Sequence, residues 1–151
     1  MAPPKPPKAG SLASKLEIRL TAVNTLAYRL SGGRFGATLK GAPILLLHHV
    51  GRKSGEARVS PLLYLADGDD YVLVASHGGA DTSPAWYYNL KANPETLIVI
   101  GKREVQVVAR EADDAERDRL WPLAAGMYSD YDVYATRTTR KIPVVILSPI
   151  A

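Results

Sequence analysis

Gly51-Arg52-Lys53-Ser54-Gly55, with Arg58 close behind, places two glycines, a hydroxyl and three cations within eight residues. The glycines permit tight or left-handed backbone. Arg52 and Arg58 offer planar forks, Lys53 a mobile point charge and Ser54 a hydroxyl, a set suited to phosphate or carboxylate oxygens. The same residues also suit an exposed hairpin with solvated charges. Ser76-His77-Gly78-Gly79 follows an apolar run and could present a concave row of amide donors. His77 adds a partial charge near neutrality. Trp86, Tyr87 and Asn89, with Tyr88, fall together on one segment, either as packing or as an aromatic wall for a flat heterocycle. Tyr128, Tyr131 and Tyr134 recur every third residue beside Asp130 and Asp132. They could pack on the core, or roof a pocket and donate a phenol hydrogen to a substrate oxygen or nitro group.

These groups need elements to hold them. Leu12, Leu16, Leu20, Val23, Ala27 and Leu30 recur at helical spacing, so a helix is expected from Ser11 to about Leu30. It either packs on its own domain or rests on a membrane or partner face. The glycine cluster from Ser31 to Gly36 ends it. From Pro43 the pattern turns to strands: Ile44–Val50, Arg58–Leu65, Tyr71–Ala75, Thr96–Ile100, Glu104–Ala109 and Pro143–Leu147. Helices are expected over Thr82–Leu90, with Pro84 in its first turn, and over Asp113–Met127, whose acidic start suits the helix dipole. Hairpin-like order without a βαβ rhythm points to a small antiparallel barrel with inserted helices.

The chain has 151 residues, enough for a single domain over 11–151 behind a Pro/Lys-rich arm at 1–10 that is expected to be flexible. It has no cysteine, which excludes disulfides, thiolate catalysis and zinc-thiolate sites. Its formal charge is +4, yet residues 1–60 hold ten Lys or Arg against Glu17 and Glu56 alone. That polarity should draw anions to one region. The cations are not interleaved with aromatics as strand-stacking surfaces require, so no nucleic-acid partner is expected. Neither phosphate-binding glycine motif, the P-loop or the dinucleotide fingerprint, is present. No apolar run is long enough to span a membrane, and the start does not read as a secretory signal. His48 and His49 point to opposite faces of a strand and flank no carboxylate at ligand spacing, so no metal is expected. No nucleophile, triad or carboxylate pair stands out. An anionic heterocycle bound by residues without strong chemistry of their own fits a redox protein whose cofactor does the chemistry.

The chain resembles the actinobacterial deazaflavin (F420)-dependent nitroreductase and quinone reductase family, within the split β-barrel flavin-binding superfamily. The resemblance rests on Gly51–Gly55, Arg58-Val59-Ser60-Pro61-Leu62, Ala75–Gly79, the run from Pro84 to Pro94, the spaced tyrosines and Ile142–Val145, and covers about Leu16 to Pro149. It implies an α+β split β-barrel, FMN-binding-like, with an N-terminal helix. It implies hydride transfer from reduced coenzyme F420 to a quinone or other conjugated electrophile, with nitroaromatics a further class. By likeness, Arg52, Lys53, Ser54, Gly55 and Arg58 would take the phosphate and oligoglutamate tail. Pro61, Ser76, His77, Gly78 and Gly79 would line the ring or ribityl chain, and Trp86, Tyr87 and Asn89 would support it. Tyr131 and Ser76 would orient the acceptor and stabilise developing negative charge, and Leu63, Tyr128 and Tyr134 would wall the acceptor side. Nitroimidazole-activating members carry lysine at the position of His77 and tyrosine at that of Leu63, while the kept tyrosine spacing favours a quinone. The alternatives are an FMN-dependent reductase on the same barrel and a non-enzymatic heterocycle-binding module. A cytoplasmic protein is expected, meeting the inner membrane face peripherally through Ser11–Leu30 and pairing as a homodimer at a barrel edge.

Overall fold

Strand β2 (Ala42–Val50) organises the molecule because it is apolar on both faces. Leu45, Leu47 and His49 point one way, Ile44, Leu46 and His48 the other. In the computed structural model, which describes residues 38–39 and 41–150, Leu45, Leu46 and Leu47 are all fully buried. The expected arm at 1–10, the helix from Ser11 to Leu30 and the glycine cluster after it lie outside the described residues.

The remaining strands are β1 (Thr38–Leu39), β3 (Ala57–Leu63), β4 (Leu65–Asp67), β5 (Asp70–Val74), β6 (Glu95–Ile100), β7 (Arg103–Glu111) and β8 (Val144–Pro149). All described pairings are antiparallel, and the order β2-β6-β7-β8-β5-β4 runs round a curved sheet. The single strand expected over Arg58–Leu65 is two, broken at Tyr64, whose N–H still donates in register to the Pro43 carbonyl at 3.1 Å, while Pro43 has no N–H to return and the pairing with β2 ends there. That break closes the barrel. β3 pairs β2 from Ala57 to Leu63, and its continuation β4 pairs β5 from Leu65 to Asp67. Leu73 and Val74 at the end of β5 lie beyond the reach of β4, so a seam opens between them and β3. This is the split barrel expected from the resemblance.

Leu45, Leu47, Leu73, Ile98, Val107, Val145 and Leu147 fill the barrel interior. Trp86, Tyr87 and Leu90 of helix α1 (Ala85–Ala92) complete that cluster. The helix expected from Thr82 starts later because Pro84 disfavours helical backbone at Ser83, and Pro84 itself is extended, with ψ 158°. Helix α2 (Asp114–Met127) begins behind Asp113, which caps it reciprocally with Glu116. Helix α3 (Asp130–Ala135) is separate, because Tyr128 is extended at φ −140° and ψ 96°.

Candidate functional site

The seam between β3 and β5 is a cleft of ≈ 870 Å³. One wall is β3 from Arg58 to Leu63, with His49 behind it. The other is Leu73, Val74, Ser76, His77 and Gly78. Pro84, Ala85 and Trp86 contribute from the start of α1, and Tyr128, Tyr131 and Tyr134 from the α2–α3 corner. From Arg58 to Leu63 an extended strand covers about 17 Å. The basic turn stands at the start of β3, while Leu63 packs against the tyrosine cluster at its end. A long ligand laid along β3 therefore meets cations first and phenols last.

The basic turn is built as the sequence suggests. Gly51 N–H donates to the Glu56 carbonyl, and Gly55 N–H to the Gly51 carbonyl. Gly55 is left-handed at φ +71°, and a Cβ on Gly51 would strike the Ser54 hydroxyl. Lys53, Ser54 and Gly55 are exposed beyond the cleft wall itself. The Arg52 guanidinium lies over the Tyr88 ring at 4.8 Å. Arg58 is only loosely paired with Glu56, at 3.7 Å.

The turn is anchored through Asn89, expected only to support the cofactor, to His49 and Ser60, whose part in the site the sequence did not reveal. Arg52 N–H donates to Asn89 Oδ1 at 3.0 Å, and Asn89 Nδ2 lies 3.0 Å from His49 Nδ1. His49 Nε2 lies 2.9 Å from Ser60 Oγ. Asn89 thus holds the turn from behind and does not line the cleft. Burial, then the positive charge of Arg58, brings the His49 pKa down to about 4, so the imidazole is neutral.

Ser76 to Ser83 forms a loop fastened by Arg140. Its Nε donates to Ala80 O, its Nη1 to Ser83 Oγ, and its Nη2 reaches the carbonyls of Ala75, Ser76 and Thr82, all at 2.8–3.2 Å. Burial lowers the Arg140 pKa from its ordinary value, but the fan of oxygens suits only a cation. His77, Gly78 and Gly79 are successive left-handed residues, at φ +47°, +61° and +84°. Gly79 is obligatory for a second reason: a Cβ there would meet Tyr134 O at 2.7 Å. The close approach brings α3 against the loop. The row of amides is in part committed, since Gly79 N–H donates to Ser76 O, and Gly79 sits behind the cleft wall.

Tyr128, Tyr131 and Tyr134 form one aromatic cluster, with centroids 5.1–6.4 Å apart. Tyr131 is 5% exposed, and no described residue hydrogen-bonds its hydroxyl. Burial raises the pKa values of Tyr128 and Tyr131 well above the ordinary phenol value, so both stay protonated donors. Tyr87 goes elsewhere. Its hydroxyl donates to Glu111 on β7 and lines a smaller cavity with Lys91, away from the cleft, and burial followed by Glu111 pushes its pKa up to about 12. Of the expected site residues, the structure gathers Arg58, Pro61, Leu63, Ser76, His77, Gly78, Trp86 and the three tyrosines around one cleft.

The sequence from residue 20 to 149 matches the family model of the F420H(2)-dependent quinone reductases. The chain belongs to that family. It is 41% identical over 135 residues to the F420H(2)-dependent quinone reductase Rv1261c of Mycobacterium tuberculosis (strain ATCC 25618 / H37Rv), covering 87% of this chain and 91% of the relative. Among solved structures it is similar to an F420-H2 dependent reductase (FDR-A), at 40% identity and TM-score 0.65, over 70% of this chain and 94% of that one. A solved domain-swapped dimer is 33% identical with TM-score 0.67, over 89% of this chain and 98% of that one. As a member of the F420H(2)-dependent quinone reductase family, the chain is an oxidoreductase. Among the described residues no helix is long and apolar enough to cross a membrane.

Proposed function

We propose that the β3–β5 cleft binds reduced coenzyme F420 along β3 and a quinone-type acceptor against the tyrosines. The observation that carries this is the joining, in one cleft, of the basic end of β3 to the buried phenol cluster, in a chain of this family. The residues fit the cofactor: Arg58 and the exposed cations of the turn before it for a phosphate and carboxylate tail, and Leu62, Leu73, Val74 and Trp86 for an uncharged flat ring. When bound, the reduced deazaflavin supplies the hydride from its carbon 5.

The chain's own residues bind, orient and exclude water. Arg52, Lys53, Ser54, Gly55 and Arg58 receive the phosphate and tail. Pro61, Ser76, His77, Gly78 and Trp86 bound the ring, while Gly79, Tyr87 and Asn89 support them from behind. Leu63, Tyr128 and Tyr134 wall the acceptor, and the Tyr131 phenol, with Ser76, donates to the acceptor oxygen on which negative charge develops. Homodimer formation and peripheral membrane contact through Ser11–Leu30 complete this reading. Sedimentation of the full chain with anionic-lipid vesicles checks the latter, and recovery wholly in the supernatant overturns it.

The test is anaerobic oxidation of reduced F420 followed by absorbance, with menaquinone and a nitroimidazole as separate acceptors and FMN as the competing cofactor. Oxidation that needs both protein and menaquinone is expected. Turnover with FMN alone, or tight F420 binding without transfer to either acceptor, overturns the reading.

A further inference from the structure

The hydrogen bonds behind β3 fix their own direction. Arg52 N–H can only donate, so the Asn89 atom 3.0 Å from it is the carbonyl oxygen. The other branch of that amide is therefore the NH2 group, and it donates to His49 Nδ1. An imidazole accepting at Nδ1 carries its proton on Nε2, and that N–H donates to Ser60 Oγ. The charged imidazole is excluded by geometry as well as by burial, because a proton on Nδ1 would face the amide hydrogens of Asn89. His49 and Asn89 are 6% and 3% exposed, so water does not readily replace either partner.

The last link is open. With its oxygen accepting from His49, the Ser60 hydroxyl has its own hydrogen to give, and no described residue accepts it. Ser60 lies on the same face of β3 as Arg58 and lines the cleft. We propose that Ser60 is a dedicated hydrogen-bond donor to a phosphate oxygen of the bound cofactor, with His49 and Asn89 as positioning residues that orient its hydroxyl and tie it to the basic turn. Phosphate oxygens only accept, so a hydroxyl locked as donor suits them, and the Arg58 charge beside it selects an anion. The inference rests on the reading of the cleft as the F420 site. It gives Asn89 a use that direct contact does not. One amide holds the turn through Arg52 and, through His49, orients the donor on the strand opposite.

The test has one arm without cofactor and one with it. Long-range 1H–15N correlation spectra of the full chain report the tautomer of each of its three histidines, with His49 assigned through His49→Gln. The Nε2–H tautomer, neutral down to about pH 5, is expected. An Nδ1–H tautomer, or protonation near the ordinary histidine value, overturns the relay. In the second arm, fluorescence titration compares F420 with the ribityl deazaflavin lacking the phosphate. Ser60→Ala should weaken F420 binding about ten- to a hundredfold, leave the phosphate-free compound unchanged, and be rescued by Ser60→Thr. Equal losses for both ligands, or none, overturn the Ser60 assignment. Failure of the unmutated protein to bind F420 removes the parent reading and this one together, and is recognised because no substitution is involved.

Discussion

At the scale of single residues, the proposed function separates binding from chemistry along β3. Tyr131 is buried, its hydroxyl has no hydrogen-bond partner among the described residues, and desolvation holds it protonated. Under the proposed function its phenol serves as a donor that need not reorganise as charge develops on the acceptor. Tyr131→Phe should lower the rate of acceptor reduction about a hundredfold while F420 affinity stays within about twofold. Stopped-flow oxidation and fluorescence titration measure the two separately, and an equal fall in both would remove the phenol from the chemistry. Because its pKa lies above the ordinary phenol value, the rate should show no inflection from Tyr131 between about pH 6 and 9. Under the same proposal Lys53 acts at the other end. It stands exposed on the turn, so its contribution is a screened charge. Lys53→Ala should weaken F420 binding about tenfold in dilute buffer and less in half-molar salt. A loss independent of salt would mean that the lysine acts by shaping the turn.

Elements place these groups by means that differ in how far they show in a sequence. The strands of the barrel were legible because their burial leaves a direct trace, as a continuous apolar run in β2 and as the alternation of Val105 and Val107 in β7. The break at Tyr64 was not, because it depends on which residue of β2 falls opposite it, and only the pairing register shows that this is Pro43, which has no N–H to continue the ladder. Arg58 and the tyrosines were legible from type and spacing, and Pro61 and Leu63 only through the family resemblance, whereas the direction of Tyr87 was settled by Glu111 on a distant strand. Arg140 left the least trace. It lies in a polar connection, and only the tertiary fold surrounds it with the carbonyls of Ala75, Ser76, Ala80 and Thr82. Arg140→Lys keeps the charge but loses the fork, so several of those oxygens lose their donor. The variant should lose about 2 kcal/mol of stability. Amide exchange should quicken from Ser76 to Ser83 more than in β7 or β8. Uniform quickening across the barrel would show that Arg140 supports the whole fold and not this loop.

For the whole molecule, the groups that build the site also set how stability depends on acidity. His49 has a folded pKa of about 4, against an ordinary value near 6.5. Between those values the unfolded chain binds a proton that the folded chain refuses, so protons favour unfolding. The contribution is complete above about pH 6.5 and is lost as pH falls towards 4, with a slope of up to about 1.4 kcal/mol per pH unit. The surface carboxylates act in a lower window. Asp67, Asp114 and Glu116 are held below the usual carboxylate range by Arg119, Lys141 and Arg110, so their share persists until pH falls below about 4.5. Urea unfolding of the wild-type chain and of His49→Gln, each from pH 4.5 to 7.5, separates the two windows because the carboxylates are common to both proteins. The wild type should be the more stable at pH 7.5, and the gap should close on acidification mainly between pH 6.5 and 4.5. A gap that stays constant across that range would mean that His49 titrates alike in both states, which a buried imidazole clasped between Asn89 and Ser60 does not allow. The cost of this arrangement appears only in acid, and near neutral pH the same neutral imidazole holds the turn, the strand and the Ser60 hydroxyl in one register.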